Sequence, residues 1–127
     1  MYFVSKGDCA VNIKDRKNQH HTAWGLLTEG DHFGEISLLY KCPRTASIVS
    51  RNYNTITRIT YDKYRDVSNV FPKYAPLLKK YSFQYNDPNK RFLINAVRRI
   101  DYFKLGLSDW SLHDLIYRFR TVSFDEG

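Results

Sequence analysis

Cysteine is scarce in this sequence, and its two cysteines, Cys9 and Cys42, lie far apart along the chain. Neither belongs to a Cys-x-x-Cys pair or to a Cys/His cluster, so nothing indicates a zinc site and we expect no metal. Sparse cysteine and the lack of a signal-peptide pattern favour a reducing compartment. We therefore expect the chain in the cytoplasm or at the cytoplasmic face of a membrane protein.

Long apolar runs and low-complexity tracts are also absent. No run approaches the roughly 18 apolar residues that a membrane-spanning helix needs, so we expect membrane contact only through a longer parent protein. Hydrophobic residues still make up 43% of the 127 residues, which is enough to build a core. By length the chain fits one domain.

No catalytic arrangement is recognisable in the sequence. There is no Ser/His/Asp, Cys/His or paired-carboxylate pattern, so we do not expect an enzyme. Acidic residues are the scarcer charge, with 13 Asp and Glu against 20 Lys and Arg, and the net charge is +7. This excess favours an anionic partner such as a nucleotide, a nucleic acid, an acidic lipid or an acidic protein, without choosing among them.

Residues 1–60 contain the short apolar runs and turn signals of a β-rich region. Cys9, Val11 and Ile13 alternate with small or polar residues, which predicts a half-buried strand. Further strands are predicted at 1–5, 22–28, 45–50 and 55–60, with a polar loop at 14–21. This spacing predicts a small sandwich or barrel.

Beyond residue 60 the apolar spacing becomes helical. The sequence predicts a helix over Tyr61–Val70, and a second helix with one apolar face made of Tyr74, Leu77, Leu78, Tyr81 and Tyr85. A third helix is predicted with the apolar face Phe92, Ala96, Val97, Ile100 and Phe103. A fourth, capped by Ser108, has the stripe Leu112, Leu115, Ile116 and Phe119, and residues 121–124 are predicted to begin a strand.

Residues 33–47, FGEISLLYKCPRTAS, combine features of an anion site. A single helical turn over 35–39 leaves backbone N–H groups free at its start, and such groups attract phosphate. Gly34 has no Cβ, so another group can approach the backbone closely. Arg44, with its backbone restricted by Pro43, can supply a permanently charged fork to the same anion.

Glu35 is the unexpected member of this segment, because a carboxylate repels phosphate. It fits if it accepts a hydrogen bond from a neutral hydroxyl of the same ligand, and a phosphate joined to a ribose offers both groups. Each residue alone is explained by a surface turn, a capping glutamate or an exposed arginine. The combination is better explained by a ligand.

The stretch FGEISLLYKCPRTASI resembles the phosphate-binding cassette of cyclic nucleotide-binding domains. These domains occur in cyclic-nucleotide-regulated cation channels, the regulatory subunits of cAMP-dependent kinase, cGMP-dependent kinase and bacterial transcription activators. The preceding MYFVSKGDCAV resembles the family's strand–turn–strand, and the likeness covers about residues 1–87. It implies an α+β fold: a small antiparallel β-barrel of the jelly-roll (double-stranded β-helix) type, with a short cassette helix and C-terminal lid helices.

The resemblance also implies roles for individual residues. Glu35 would bind the ribose 2′-hydroxyl, Arg44 would neutralise the cyclic phosphate, and the whole set of ligand contacts would be Phe33, Gly34, Glu35, Ile36, Ser37, Arg44, Thr45 and Ala46. Candidates to contact the base, from the cleft or from the lid helix, are Leu27, Tyr81, Phe83 and Tyr85. Thr45 leaves the choice between cAMP and cGMP open, and no cofactor besides this ligand is expected.

The tail of the chain resembles the opening of a second domain of the same kind. Residues 92–127 show a connecting helix, a Leu-Ser-x-x-x-Leu helix and a Phe-x-x-Gly strand entry. We therefore expect residues 1–87 to be one domain lacking its N-terminal helix and first strands, and 88–127 a linker helix and the start of the next domain. The tail could complete the barrel in its own chain or, through self-association, in a neighbouring one.

The leading functional hypothesis is a regulatory sensor of cAMP or cGMP that moves its C-terminal helices and controls a linked effector, first of all an ion channel. The alternatives are a kinase regulatory module and a degenerate interaction domain that no longer binds ligand. Nucleic-acid binding is not expected, because the segment after the lid resembles a second nucleotide domain. Residues 118–123, RFRTVS, also fit a site for a basophilic kinase, although such patterns often arise by chance.

Overall fold

A computed structural model of the chain describes residues 1–14, 21–83, 87–103, 106–120 and 122–126. They form two compact units, Met1–Tyr85 and Asn86–Gly127. The first unit contains strands β1 to β6 and helices α1 to α3, in the order β1 (Tyr2–Lys6), β2 (Cys9–Lys14), β3 (His21–Leu27), β4 (His32–Phe33), α1 (Glu35–Tyr40), β5 (Ser47–Ser50), β6 (Thr55–Arg58), α2 (Tyr61–Val70) and α3 (Tyr74–Phe83). Most of the predicted polar loop at 14–21 lies outside the described residues.

The strands form two three-stranded antiparallel sheets, with the orders β4-β1-β6 and β3-β2-β5. The prediction of short antiparallel strands followed by helices is therefore confirmed. The predicted barrel stays a prediction, because the described strands form two separate sheets. Among the described residues of the first unit, the buried apolar ones are Met1, Val4, Cys9 and Ile13.

Strand β2 shows why the sequence pattern leads to a sheet with one buried face. Cys9 and Ile13 are buried, as the alternation predicts, while Val11 between them is only half-buried. On the opposite face Ala10 is paired with Leu26 on one side and Val49 on the other. Leu26 and Val49 are each about half exposed, so only one face of this sheet is fully covered.

A glycine turn joins the two sheets between β1 and β2. Gly7 has φ 87°, and a Cβ at this position would lie 2.4 Å from the carbonyl oxygen of Tyr53. Asp8 follows and accepts hydrogen bonds from the side chains of Asn52 and Arg51. The turn therefore requires glycine, and Asp8 fastens it to the β5–β6 connection.

Helices α2 and α3 complete the first unit. Helix α2 has the predicted boundaries, with Thr60 accepting a hydrogen bond from the Lys63 N–H as the N-cap. Helix α3 also forms, but its predicted apolar stripe is not core. Tyr74, Leu77 and Tyr81 are each about half exposed, since no described element covers that face.

The second unit consists of α4 (Pro88–Arg98), a 3₁₀ turn (Asp101–Phe103) and α5 (Asp109–Ile116). Asp87 and Ser108 cap the two α-helices. The buried core is Val97, Leu112 and Ile116, with Leu93, Ile94, Leu107, Leu115 and Tyr117 packed against it.

Two predictions for the second unit were wrong. Of the apolar face predicted for α4, only Val97 is buried. Phe92 is 57% exposed, and Ile100 and Phe103 come after the helix ends, so they leave the predicted face. No strand forms over the described residues 122–126. No helix in the described part of the chain is long and apolar enough to cross a membrane.

Candidate functional site

The candidate site begins where β4 passes into α1. Gly34, between them, has φ 76° and ψ 13°, in the left-handed region, and provides no side-chain cap for the helix. A Cβ on Gly34 would lie 2.9 Å from Nη1 of Arg44 and 3.3 Å from the Tyr2 ring. Glycine is required here both for its backbone conformation and for the close approach of the arginine.

Arg44 reaches back from the loop after α1 to the start of that helix. Its Nη1 donates to the Gly34 carbonyl oxygen at 2.8 Å and to Ser37 Oγ at 2.5 Å. The guanidinium carbon lies 5.8 Å from the centre of the Tyr2 ring, which itself stacks on Phe33 with ring centres 5.1 Å apart. A permanent positive charge is therefore held beside the N-terminus of α1 on an aromatic support.

Arg44 has N–H donors left that can bind an anionic ligand. The side chain is exposed, and its hydrogen bonds within the described chain use only Nη1. A guanidinium has five N–H donors, so the other donors remain available to a phosphate or carboxylate.

Glu35 is the first residue of α1 and is only 2% exposed. A carboxylate in the first helical turn interacts favourably with the helix dipole. A buried carboxylate also needs hydrogen-bond donors, because removing it from water is costly. Glu35 therefore brings a buried carboxylate to the start of α1, the helix end at which Arg44 is bonded to Gly34.

The other predicted contact residues lie in several different elements. Ile36 is half-buried within α1. In the loop between α1 and β5, Ala46 is half-buried and Thr45 is exposed. Leu27 is the last residue of β3, in the other sheet, and Tyr81 is 56% exposed on α3. The Phe83 side chain and the whole of Tyr85 lie outside the described residues. The structure thus brings together Gly34, Ser37 and Arg44.

Sequence reasoning missed a contact between α1 and α3. The hydroxyl of Tyr40 at the end of α1 is 3.4 Å from Oγ of Ser82, and the Lys79 ammonium lies 5.2 Å from the centre of the Tyr40 ring. Ser82 is fully buried and donates to the Lys79 carbonyl oxygen at 2.7 Å. Tyr40 and Ser82 are 42 positions apart, so no local pattern could have paired them.

Tyr2 was also missed, although it supports both Phe33 and Arg44. An aromatic residue in an apolar strand is ordinarily taken as core, and only the pairing of β1 with β4 places it beside the site. Close by, burial raises the pKa of the Cys42 thiol, which keeps it protonated and unreactive at neutral pH. The described residues contain no group of three His, Cys, Asp or Glu side chains that could hold a metal ion.

Comparison with known proteins places this geometry in context. Residues 1–69 match the family model described as the cyclic nucleotide-binding domain. Over 72 residues, 57% of this chain, the sequence is 35% identical to the human potassium/sodium hyperpolarization-activated cyclic nucleotide-gated channel 1. The chain spans only 7% of that channel's length.

Two solved structures share the fold. The regulatory domain of Toxoplasma gondii PKA with cAMP aligns with a TM-score of 0.60 and 20% identity, covering 66% of this chain and 31% of that one. The catabolite activator protein of Thermus thermophilus aligns with a TM-score of 0.53 and 20% identity, covering 83% of this chain and 55% of that one. At these identities the likeness establishes the fold alone.

Proposed function

The chain belongs to the cyclic nucleotide-binding domain family, and from that premise we propose that residues 33–46 bind a cyclic nucleotide, cAMP or cGMP. The position of Arg44 is the observation that supports this most. Its guanidinium is tied to Gly34 and Ser37 at the start of α1, next to first-turn N–H groups that Gly34 does not cap. Arg44 and these N–H groups would together bind the cyclic phosphate.

The remaining predicted residues have complementary roles in this proposal. Glu35, at the start of α1, would accept a hydrogen bond from the ribose hydroxyl. Thr45 and Ala46 would border the phosphate, and Leu27 would contact the base. The exposed face of α3, including Tyr81, would be covered when the helix closes over the ligand. We further propose that the two sheets are the two halves of a jelly-roll barrel.

Regulation would depend on the contact between α1 and α3. A ligand bound at the start of α1 shifts the protein toward whichever position of that helix binds it more tightly. Because Tyr40 at the other end of α1 contacts Ser82 and Lys79, that shift would pass to α3 and to the helices after it. The effector would be a linked ion channel, which places the domain at the cytoplasmic face of a membrane. A kinase regulatory module is the alternative.

Calorimetric titration with cAMP and with cGMP tests this function. The wild-type chain should bind at least one of them, and Arg44→Ala should weaken binding about a hundredfold, because a charged hydrogen bond contributes roughly 1.5–3 kcal/mol. Arg65→Ala, which removes an exposed arginine from α2, is the matched control and should leave the affinity unchanged. Equal affinities for wild type and Arg44→Ala would refute the assigned site.

A non-binding interaction domain is the second candidate, favoured by the two unclosed sheets. A folded wild-type chain that binds neither nucleotide would support it. In that case residues 88–127, which we propose to be a linker helix and the opening of a second domain, would be tested for self-association by analytical ultracentrifugation.

A further inference from the structure

We propose that Ser123 is phosphorylated by a serine/threonine protein kinase that selects arginine before its target. Four serine or threonine residues in the sequence have an arginine three positions earlier: Ser47, Ser68, Thr121 and Ser123. Arginine at that spacing can form bidentate ion pairs with carboxylates in a kinase's substrate groove. The sequence alone does not choose among the four.

Ser47 and Ser68 belong to regular elements. Ser47 begins β5 and pairs with Asn12 of β2, while its arginine, Arg44, is bonded to Gly34 and Ser37. Ser68 is half-buried in α2, where Arg65 lies 3.9 Å from Asp62. Phosphoryl transfer requires the hydroxyl to be aligned with ATP, so either segment would have to leave its sheet or helix first.

Ser123 is not held in a strand or helix, and its arginine is not bonded to another side chain that the structure describes. It lies in residues 122–126, which form no helix or strand, and its neighbours Val122 and Phe124 are 65% and 90% exposed. Arg120 and a second arginine, Arg118, are exposed and form no ion pair with the residues that the structure describes. We call residues 118–126 the tail segment. Within it, both arginines and the serine are exposed and can contact a kinase at the same time. Thr121 lies outside the described residues, so it needs a variant of its own.

The reaction is a phosphoryl transfer with ATP as the donor. The Oγ of Ser123 forms a bond to the γ-phosphorus, the bond from that phosphorus to the bridging oxygen breaks, and ADP leaves. The hydroxyl proton passes to the catalytic aspartate of the kinase. The phosphate adds about −1.5 to −2 charges between the arginines and the acidic pair Asp125 and Glu126.

The experiment incubates the 127-residue chain with ATP, Mg²⁺ and a purified kinase selective for Arg-x-x-Ser, and then uses intact mass measurement and peptide mapping. We expect one phosphoryl group, at Ser123, and none on Ser123→Ala. Arg120→Ala should reduce the initial rate about tenfold or more, because a charge-assisted contact is lost. Ser68→Ala and Thr121→Ala are matched controls and should remain substrates. Circular dichroism would verify that each variant keeps its fold.

A synthetic peptide of residues 117–126 tests whether the folded chain presents this segment. The chain and the peptide should be phosphorylated at rates within a few fold of each other, since the segment needs no unfolding. Phosphorylation of the peptide but not of the chain would overturn the proposal. So would transfer to Ser47, Ser68 or Thr121 instead of Ser123, or no transfer to either substrate.

Discussion

The segment Arg44-Thr-Ala-Ser47 and the segment Arg120-Thr-Val-Ser123 have nearly the same sequence and entirely different surroundings. In the first, the arginine is bonded to Gly34 and Ser37 and the serine enters a sheet. In the second, the arginine and the serine lie outside any helix or strand, although all four side chains are exposed. The difference teaches that the chemistry of an arginine depends on what the fold places around it, not on its neighbours in sequence.

Acidification should loosen the second unit, to which the tail segment belongs, and this is the largest effect we expect. Burial and the nearby charge of Lys90 lower the pKa of His113 in α5 to about 4, although Asp109 and Asp114 act in the opposite direction. The unfolded chain takes up this proton near pH 6.5 and the folded one only near pH 4. Stability is therefore complete above 6.5 and falls between 6.5 and 4, by at most about 3 kcal/mol.

This pH dependence can be measured by urea unfolding monitored by Trp110 fluorescence in a Trp24→Phe background, because Trp110 lies in the second unit and Trp24 in the first. His113→Leu removes the titrating group and should flatten the dependence. The same slope in both proteins between pH 6.5 and 4 would show that other groups dominate.

Limited proteolysis with trypsin sharpens the comparison directly. The bond after Arg120 should be cleaved about a hundredfold faster than the bond after Arg44, since cleavage at Arg44 requires the site to open locally. Mass spectrometry of early products gives both rates. The same chain in denaturant is the control, and there the two rates should be within a few fold. Similar rates in the native chain would show that residues 44–47 are no better held than the tail segment.

Gly34→Ala should have the smallest effect. It tests the close contact between Gly34 and the Arg44 guanidinium. The left-handed conformation costs an alanine roughly 1–2 kcal/mol, and the new Cβ would press on Nη1. Gly30→Ala is a matched control, with φ 90° and no atom within 4 Å of the added Cβ. Both variants should lose similar stability by Trp24 fluorescence in a Trp110→Phe background. Only Gly34→Ala should bind cyclic nucleotide severalfold more weakly, and equal affinities would argue against the role of this contact.

Local patterns predicted much of the secondary structure. Helix α2 has the predicted boundaries, and Ser108 caps α5 as expected from its place before an acidic first turn. These elements depend on short-range spacing and capping. Burial was predicted less well: Leu77 and Tyr81 have helical spacing, but the face they form is exposed. Periodicity identifies an apolar face without identifying what covers it.

In the candidate site, too, some residues could be predicted from the sequence and others could not. Gly34, Glu35 and Arg44 could be selected from sequence, because a missing Cβ, a carboxylate and a guanidinium suit the proposed sugar phosphate. Tyr2 and the pair Tyr40 and Ser82 could not be selected, because their contacts join residues distant in the chain. Contacts of that kind depend on strand pairing and helix packing.

By itself, then, the sequence determined the family, the types of element and the candidate groups for the proposed contacts to a cyclic phosphate and a ribose. These depend on local geometry and on the chemistry of single side chains. Only the tertiary structure decided that Arg44 is bound beside Gly34 while Arg120 forms no ion pair with the described residues, and that α1 contacts α3. The physical reason is that burial, pairing and access are properties of the surroundings that the whole chain creates.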